Sequence, residues 1–143
     1  MDWYVRAFVR AAVVWLALGV TLGLAMALHP PLLVYRPVHL HLNLLGFMSM
    51  MVFGVAYHIF PRFAGVPLHS RRLAVFHWWV ANAGLALLSA GFVMRFSGIA
   101  RVSVALLGIG GGLSAIGAYC FGYQVWRTLG AAPPARVTLA GRG

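Results

Sequence analysis

The sequence predicts an all-α integral membrane protein: a bundle of four transmembrane helices with both termini on the cytoplasmic side. Three observations lead there. Of the 143 residues 62% are hydrophobic and 8% charged, with a mean hydropathy of +0.89, whereas soluble domains carry roughly 25% charged residues. The apolar residues gather into four stretches, each close to the roughly 20 residues that a helix needs to cross a bilayer. All 11 basic residues are arginines, the one acid is Asp2, and the arginines stand at the ends of the apolar stretches rather than inside them.

The first stretch runs from Ala11 to Leu28. Arg6 and Arg10 ahead of it, and Ala25-Met26-Ala27 near its end, give it the outline of a secretory signal. It is longer than a usual signal core and is expected to stay as a helix. Its Gly19 and Gly23 stand at the spacing through which small residues let membrane helices approach. His29-Pro30-Pro31 ends it, and Arg36-Pro37 opens the second stretch, Val38 to Phe60. The third, Leu73 to Met94, follows a break from Pro61 to Arg72, and the fourth, Val102 to Trp126, follows Arg95 to Arg101. The fourth carries Gly108, Gly110, Gly111, Gly112, Gly117 and Gly122. Their plain role is helix packing; a sharper one is a face bare enough for a flat macrocycle. Helices are the open-ended structure that satisfies its own backbone in lipid, and a closed barrel needs an alternating polarity these stretches lack. Residues 1–129 are thus expected to form one four-helix domain, followed by a flexible tail over 130–143.

Arg6, Arg10, Arg62, Arg71, Arg72, Arg127, Arg136 and Arg142 fall on one side of the membrane, and only Arg36, Arg95 and Arg101 on the other. The positive-inside rule therefore puts both termini and the middle loop in the cytoplasm. With a net charge of +10 and one acid, salt bridges cannot hold the fold. The arginines form no stripe with interleaved aromatics, which speaks against nucleic acid; lipid headgroups or anionic cofactor groups suit them better. A single cysteine, Cys120, rules out an internal disulfide and a cysteine-built metal cage.

The six histidines divide into two groups by depth. His29, His39 and His41 lie near the outer surface, and His58, His69 and His77 near the inner one. His39 and His58 are separated by roughly 28 Å along a helix, so one metal cannot join the groups. His39 and His41 point about 200° apart around a helix. They cannot grip one metal from the same regular helix, but each can face a different neighbour. An interfacial histidine is often a plain hydrogen-bonder, whereas an ionisable residue inside a span is a functional candidate. Two within one turn, with a third at their depth, make a bound metal or heme as plausible as hydrogen bonding. Arg36, Arg95 and Arg101 stand at the same level. They could pair with heme propionates, or snorkel to lipid phosphates.

The segment His39-Leu40-His41-Leu42-Asn43-Leu44-Leu45-Gly46-Phe47, with Gly54, Tyr57 and Pro61-Arg62, resembles the tenth helix of the catalytic subunit of heme-copper oxidases, especially the cbb-type C family. Pro67 to Ala74 and Phe76-His77-Trp78-Trp79 resemble the following loop and helix. The resemblance implies that His39 ligates a high-spin heme and His41 a low-spin heme, from opposite faces of one helix near the periplasm. The family's copper-ligating histidines, on two other helices, have no counterpart here, so full oxygen reductase activity is not expected.

The expected protein is a membrane b-type cytochrome of the bacterial inner membrane. It would bind heme b, with copper as the alternative, through His41, His39 and His29, with Arg36, Arg95 and Arg101 around the cofactor. Its role would be electron transfer with a redox partner, or binding of nitric oxide or oxygen. Its partners are the lipid bilayer and a second copy of itself, a dimer in which heme ligands are shared. Two rivals remain open: a copper-handling membrane protein that adds Met48 or Met50 to the histidines, and a cofactor-free assembly partner of an oxidase.

Overall fold

A computed structural model describes residues 2–131 and consists almost wholly of helix. Four helices are long and apolar enough to cross a membrane: α1 (Trp3–Leu28), α2 (Pro30–Ala64), α3 (Arg71–Phe96) and α4 (Ala100–Leu129). No strand occurs among the described residues. With four such helices the chain has the build of a multi-pass membrane protein. The tail beyond residue 131, with Arg136 and Arg142, lies outside the described residues.

Every helix exceeds its apolar stretch, because the backbone keeps its internal hydrogen bonds into the interfacial zone. α1 reaches back through Arg10 and Arg6 to Trp3. α2 begins at Pro30 rather than at Val38, since a proline at the first helical position loses no hydrogen bond and already has the helical φ. It opens as a tight 3-10 turn over Pro30–Tyr35, becomes α-helical over Arg36–His41, widens to a π-helix over Leu42–Ser49, and returns to α over Met50–Ala64. Pro61 does not stop it. Gly65 does, at a left-handed φ of 66°, while the Val66 N–H donates to the Pro61 carbonyl at 3.0 Å. Ser70 caps α3, its hydroxyl accepting from the Leu73 N–H at 3.2 Å.

Without a hydrophobic force between them in lipid, the helices associate by close approach and a few polar tethers. The α3–α4 hairpin is the tightest pair. A Cβ added at Gly110 would sit 2.5 Å from the Leu88 nitrogen, and one at Gly84 would sit 2.7 Å from the Ser114 nitrogen. Gly46 likewise lets α2 lie against Trp15 of α1. Trp15 then donates from Nε1 to Asn82 Oδ1 at 2.9 Å, tying α1 to α3. Gln124 of α4 donates to the Ser70 carbonyl at 2.5 Å, and the His69 N–H donates to Thr128 Oγ1 at 3.1 Å, which anchors the α2–α3 loop. Phe8, Met50, Ala74 and Leu85 fill the buried centre.

Gly108, Gly112 and Gly122 face open space, so the glycines of α4 divide between packing and surface. A Gly110→Leu substitution should destabilise the bundle by about 1–3 kcal/mol because it pushes into the α3 backbone. Gly112→Leu should change stability by less than about 0.5 kcal/mol. Thermal unfolding of the two variants in detergent micelles checks the contrast.

Candidate functional site

His39 and His41 stand in the last α-helical turn before α2 widens, and their side chains face different helices. The His39 Nδ1 lies 2.8 Å from the Gly19 carbonyl of α1. A carbonyl can only accept, so Nδ1 carries the proton. The ring rests on the Gly19–Gly23 face of α1, where a Cβ at Gly23 would come within 2.7 Å of the His39 Cε1 and one at Gly19 within 2.7 Å of the Asn43 amide. Those two glycines make room for His39 and Asn43. Asn43 donates to the His39 carbonyl at 2.8 Å; its 3.4 Å approach to Nδ1 brings donor toward donor and adds nothing.

His41 turns the other way. Its Nδ1 lies 2.7 Å from the Pro37 carbonyl, four residues back on its own helix, and must donate there as well. Its ring packs on Phe92 of α3, with centroids 5.1 Å apart and planes at 38°. Tyr35 meets Phe96 edge-on at 5.9 Å and pins the start of α2 to the end of α3. In both imidazoles the proton is held on Nδ1 by a backbone carbonyl, which leaves the lone pair on Nε2. That tautomer, with Nδ1–H anchored on a carbonyl, is the one an imidazole needs to bind a metal through Nε2.

The π-helical run starts directly after this pair. Its i→i+5 spacing is matched by Ser49, whose hydroxyl donates to the Leu44 carbonyl at 2.9 Å. Such widened turns are frequent at functional sites. Within and below the run, Gly46, Met50 and Tyr57 all reach the interior.

His29 is exposed at the end of α1, where its backbone N–H donates to the Ala25 carbonyl at 2.9 Å. Among the described residues no three of the His, Cys, Asp and Glu side chains gather into a metal-holding group, so His29, His39 and His41 do not converge on one point within a chain. Arg36, Arg95 and Arg101 are exposed at the same end, and none makes a side-chain hydrogen bond among the described residues.

The inner histidines take separate partners. Arg62 Nη1 lies 2.8 Å from the His58 Nδ1, and the His69 ring meets Tyr123 edge-on at 5.6 Å. His77 is fully buried, with Nδ1 2.7 Å from the Tyr57 hydroxyl and with Phe8 and Phe53 against its ring at 4.9 and 4.5 Å. Its Nε2 is buried without a hydrogen-bond partner among the described residues. His58 and His77 thus take different partners, Arg62 and Tyr57. The Tyr57–His77 bond and the Trp15–Asn82 tether were not foreseen from sequence. Their signal was a polar residue on an otherwise apolar helix.

No family model matches the chain. It is similar to the cbb3-type cytochrome c oxidase subunit CcoN1 of Stutzerimonas stutzeri, at 28% identity over a stretch covering 71% of this chain and 27% of that protein. The chain thus spans about a quarter of that relative's length. The likeness is to a membrane oxidase subunit of the kind that the H-x-H segment resembles.

With histidines labelled with 15N, both His39 and His41 should give a pyrrole-type signal for Nδ1 and a pyridine-type signal for Nε2. Gly23→Leu should shift the His39 signals, by displacing its ring from Gly19, and leave those of His41 in place. Nitrogen NMR of the detergent-solubilised protein reads both outcomes.

Proposed function

We propose that the chain is a membrane b-type cytochrome, a minimal relative of the heme-copper oxidase catalytic subunit, that holds heme through His41 and His39. The observation carrying this reading is the pair of imidazoles that face apart, each with Nδ1 held by a carbonyl and with no hydrogen bond to Nε2 among the described residues. A bound heme would supply one-electron chemistry at iron and an axial position for a diatomic gas. The chain's own residues do the rest. Pro37 and Gly19 aim the two imidazoles, Phe92 covers the flank of His41, and Arg36, Arg95 and Arg101 are free to neutralise the two propionates.

His41 is the leading ligand, because its aim depends on its own helix alone. An exposed His29 suits a ligand given to a second copy of the chain in a two-fold dimer, the commonest closed assembly. Two imidazoles on one iron would favour electron transfer; one would leave a face open for nitric oxide or oxygen. Oxygen reduction is not proposed, since nothing in the chain matches the family's copper ligands. The reading places the protein in the bacterial inner membrane, with the His39–His41 end toward the periplasm and the termini in the cytoplasm.

The visible spectrum of the purified protein, oxidised and dithionite-reduced, tests this. A Soret band with sharp reduced bands is expected. His41→Ala should abolish the low-spin features, and His69→Ala should leave them. An unchanged spectrum in His41→Ala would refute the ligand assignment. Copper without a Soret band would instead favour copper handling, and neither would favour a cofactor-free assembly partner.

A further inference from the structure

At the opposite end of the bundle a cavity of about 440 Å³ opens between the start of α1, the end of α2 and the start of α3. Its polar lining is Arg62, Arg71, His58, Tyr4, Tyr57 and Asp2. The one acid is already engaged: Asp2 Oδ2 accepts from the Tyr4 hydroxyl at 2.9 Å, and no salt bridge joins Asp2 to either arginine among the described residues. Two guanidinium groups therefore share a concave wall with a single carboxylate. Arg62 is held on that wall, its Nη1 donating to the His58 carbonyl at 2.6 Å and lying 2.8 Å from the His58 Nδ1. Because Nη1 donates, Nδ1 accepts, and the His58 proton sits on Nε2 as a further donor.

Arg71 adds an independent observation. It is the first residue of the 26-residue helix α3, Arg72 follows it, and the first turn contains no acid. Two cations at the positive end of a long helix are unfavourably placed. An anion beside Arg71, the one of the two that lines the cavity, would relieve the charge at this helix end. Arg71 makes no side-chain hydrogen bond among the described residues, so its donors are unspent. The cavity is also of the size that small-ligand sites take, on the order of 300–1,000 Å³.

We propose that this cavity binds a phosphate group, gripped by Arg62 and Arg71. That phosphate is carried by the headgroup of an anionic phospholipid or is free in solution. Exposed Trp3 and Phe63 near this end are apolar neighbours of the kind found where a span meets headgroups. The inference does not depend on heme at the other end.

The test uses the full chain, delipidated in detergent, in two arms. Native mass spectrometry reads retention of phosphatidylglycerol against phosphatidylcholine, and 31P NMR reads line broadening of inorganic phosphate. Charge-assisted bonds to two arginines predict a loss of about tenfold or more in Arg62→Gln/Arg71→Gln. Arg71→Gln alone should lose a smaller part, and because that side chain has no bond to break, it guards against misfolding of the double variant. Arg127→Gln, at the same end but outside the cavity, should bind as the parent does. A loss in the lipid arm identifies the headgroup as the source, and a loss confined to the phosphate arm identifies the free ion. If neither probe binds, or if binding in both arms is the same in the parent and the arginine variants, the proposal is overturned.

Discussion

Hydrocarbon offers the peptide backbone no hydrogen-bond partners, and the rest of this structure depends on that constraint. Each span must close its own N–H and C=O groups, so each is a helix. Where a helix does offer a carbonyl to a side chain, the bond is made with little competition from water. Gly19 and Pro37 do this for His39 and His41. The same backbone bonds that make the spans possible thus also orient the two imidazoles.

Helices already satisfied in this way have little reason to meet. They meet here because glycine lets backbones touch and because a few polar side chains have no better partner. Gly84 and Gly110 bring α3 and α4 into backbone contact, and Trp15 reaches Asn82 across the bundle. Among the described residues no salt bridge takes part in this, as a chain with one acid would lead one to expect. The glycines of α1 have a double use: removing their side chains brings α2 close and, at the same places, seats the ring of His39.

The bundle separates its chemistry by depth. One end carries the two anchored imidazoles and three arginines without a side-chain hydrogen bond among the described residues; the other carries a cationic cavity at the head of α3. Between them lies an apolar centre in which Tyr57 and His77 bond within a cage of phenylalanines.

The four long apolar helices and the opposed facing of His39 and His41 were legible in the sequence. Each follows from local quantities: the apolar length that crosses a bilayer and the fixed rotation per residue of a helix. Helix ends were less legible, because Pro30 starts a helix as readily as it breaks one, and Pro61 is passed over until Gly65 supplies a left-handed φ. The π-helical run after His41, the carbonyls that fix the imidazole tautomers, the partners of His58 and His77, and the cavity beside Arg71 could be decided only by the tertiary structure. For His39 on Gly19 and His77 on Tyr57 the outcome depends on which atoms of distant segments meet. For His41 and His58 it depends on which of several partners within reach the side chain takes. In lipid that choice is made by the close fit of small residues and by single hydrogen bonds. Neither leaves a periodic trace along the chain.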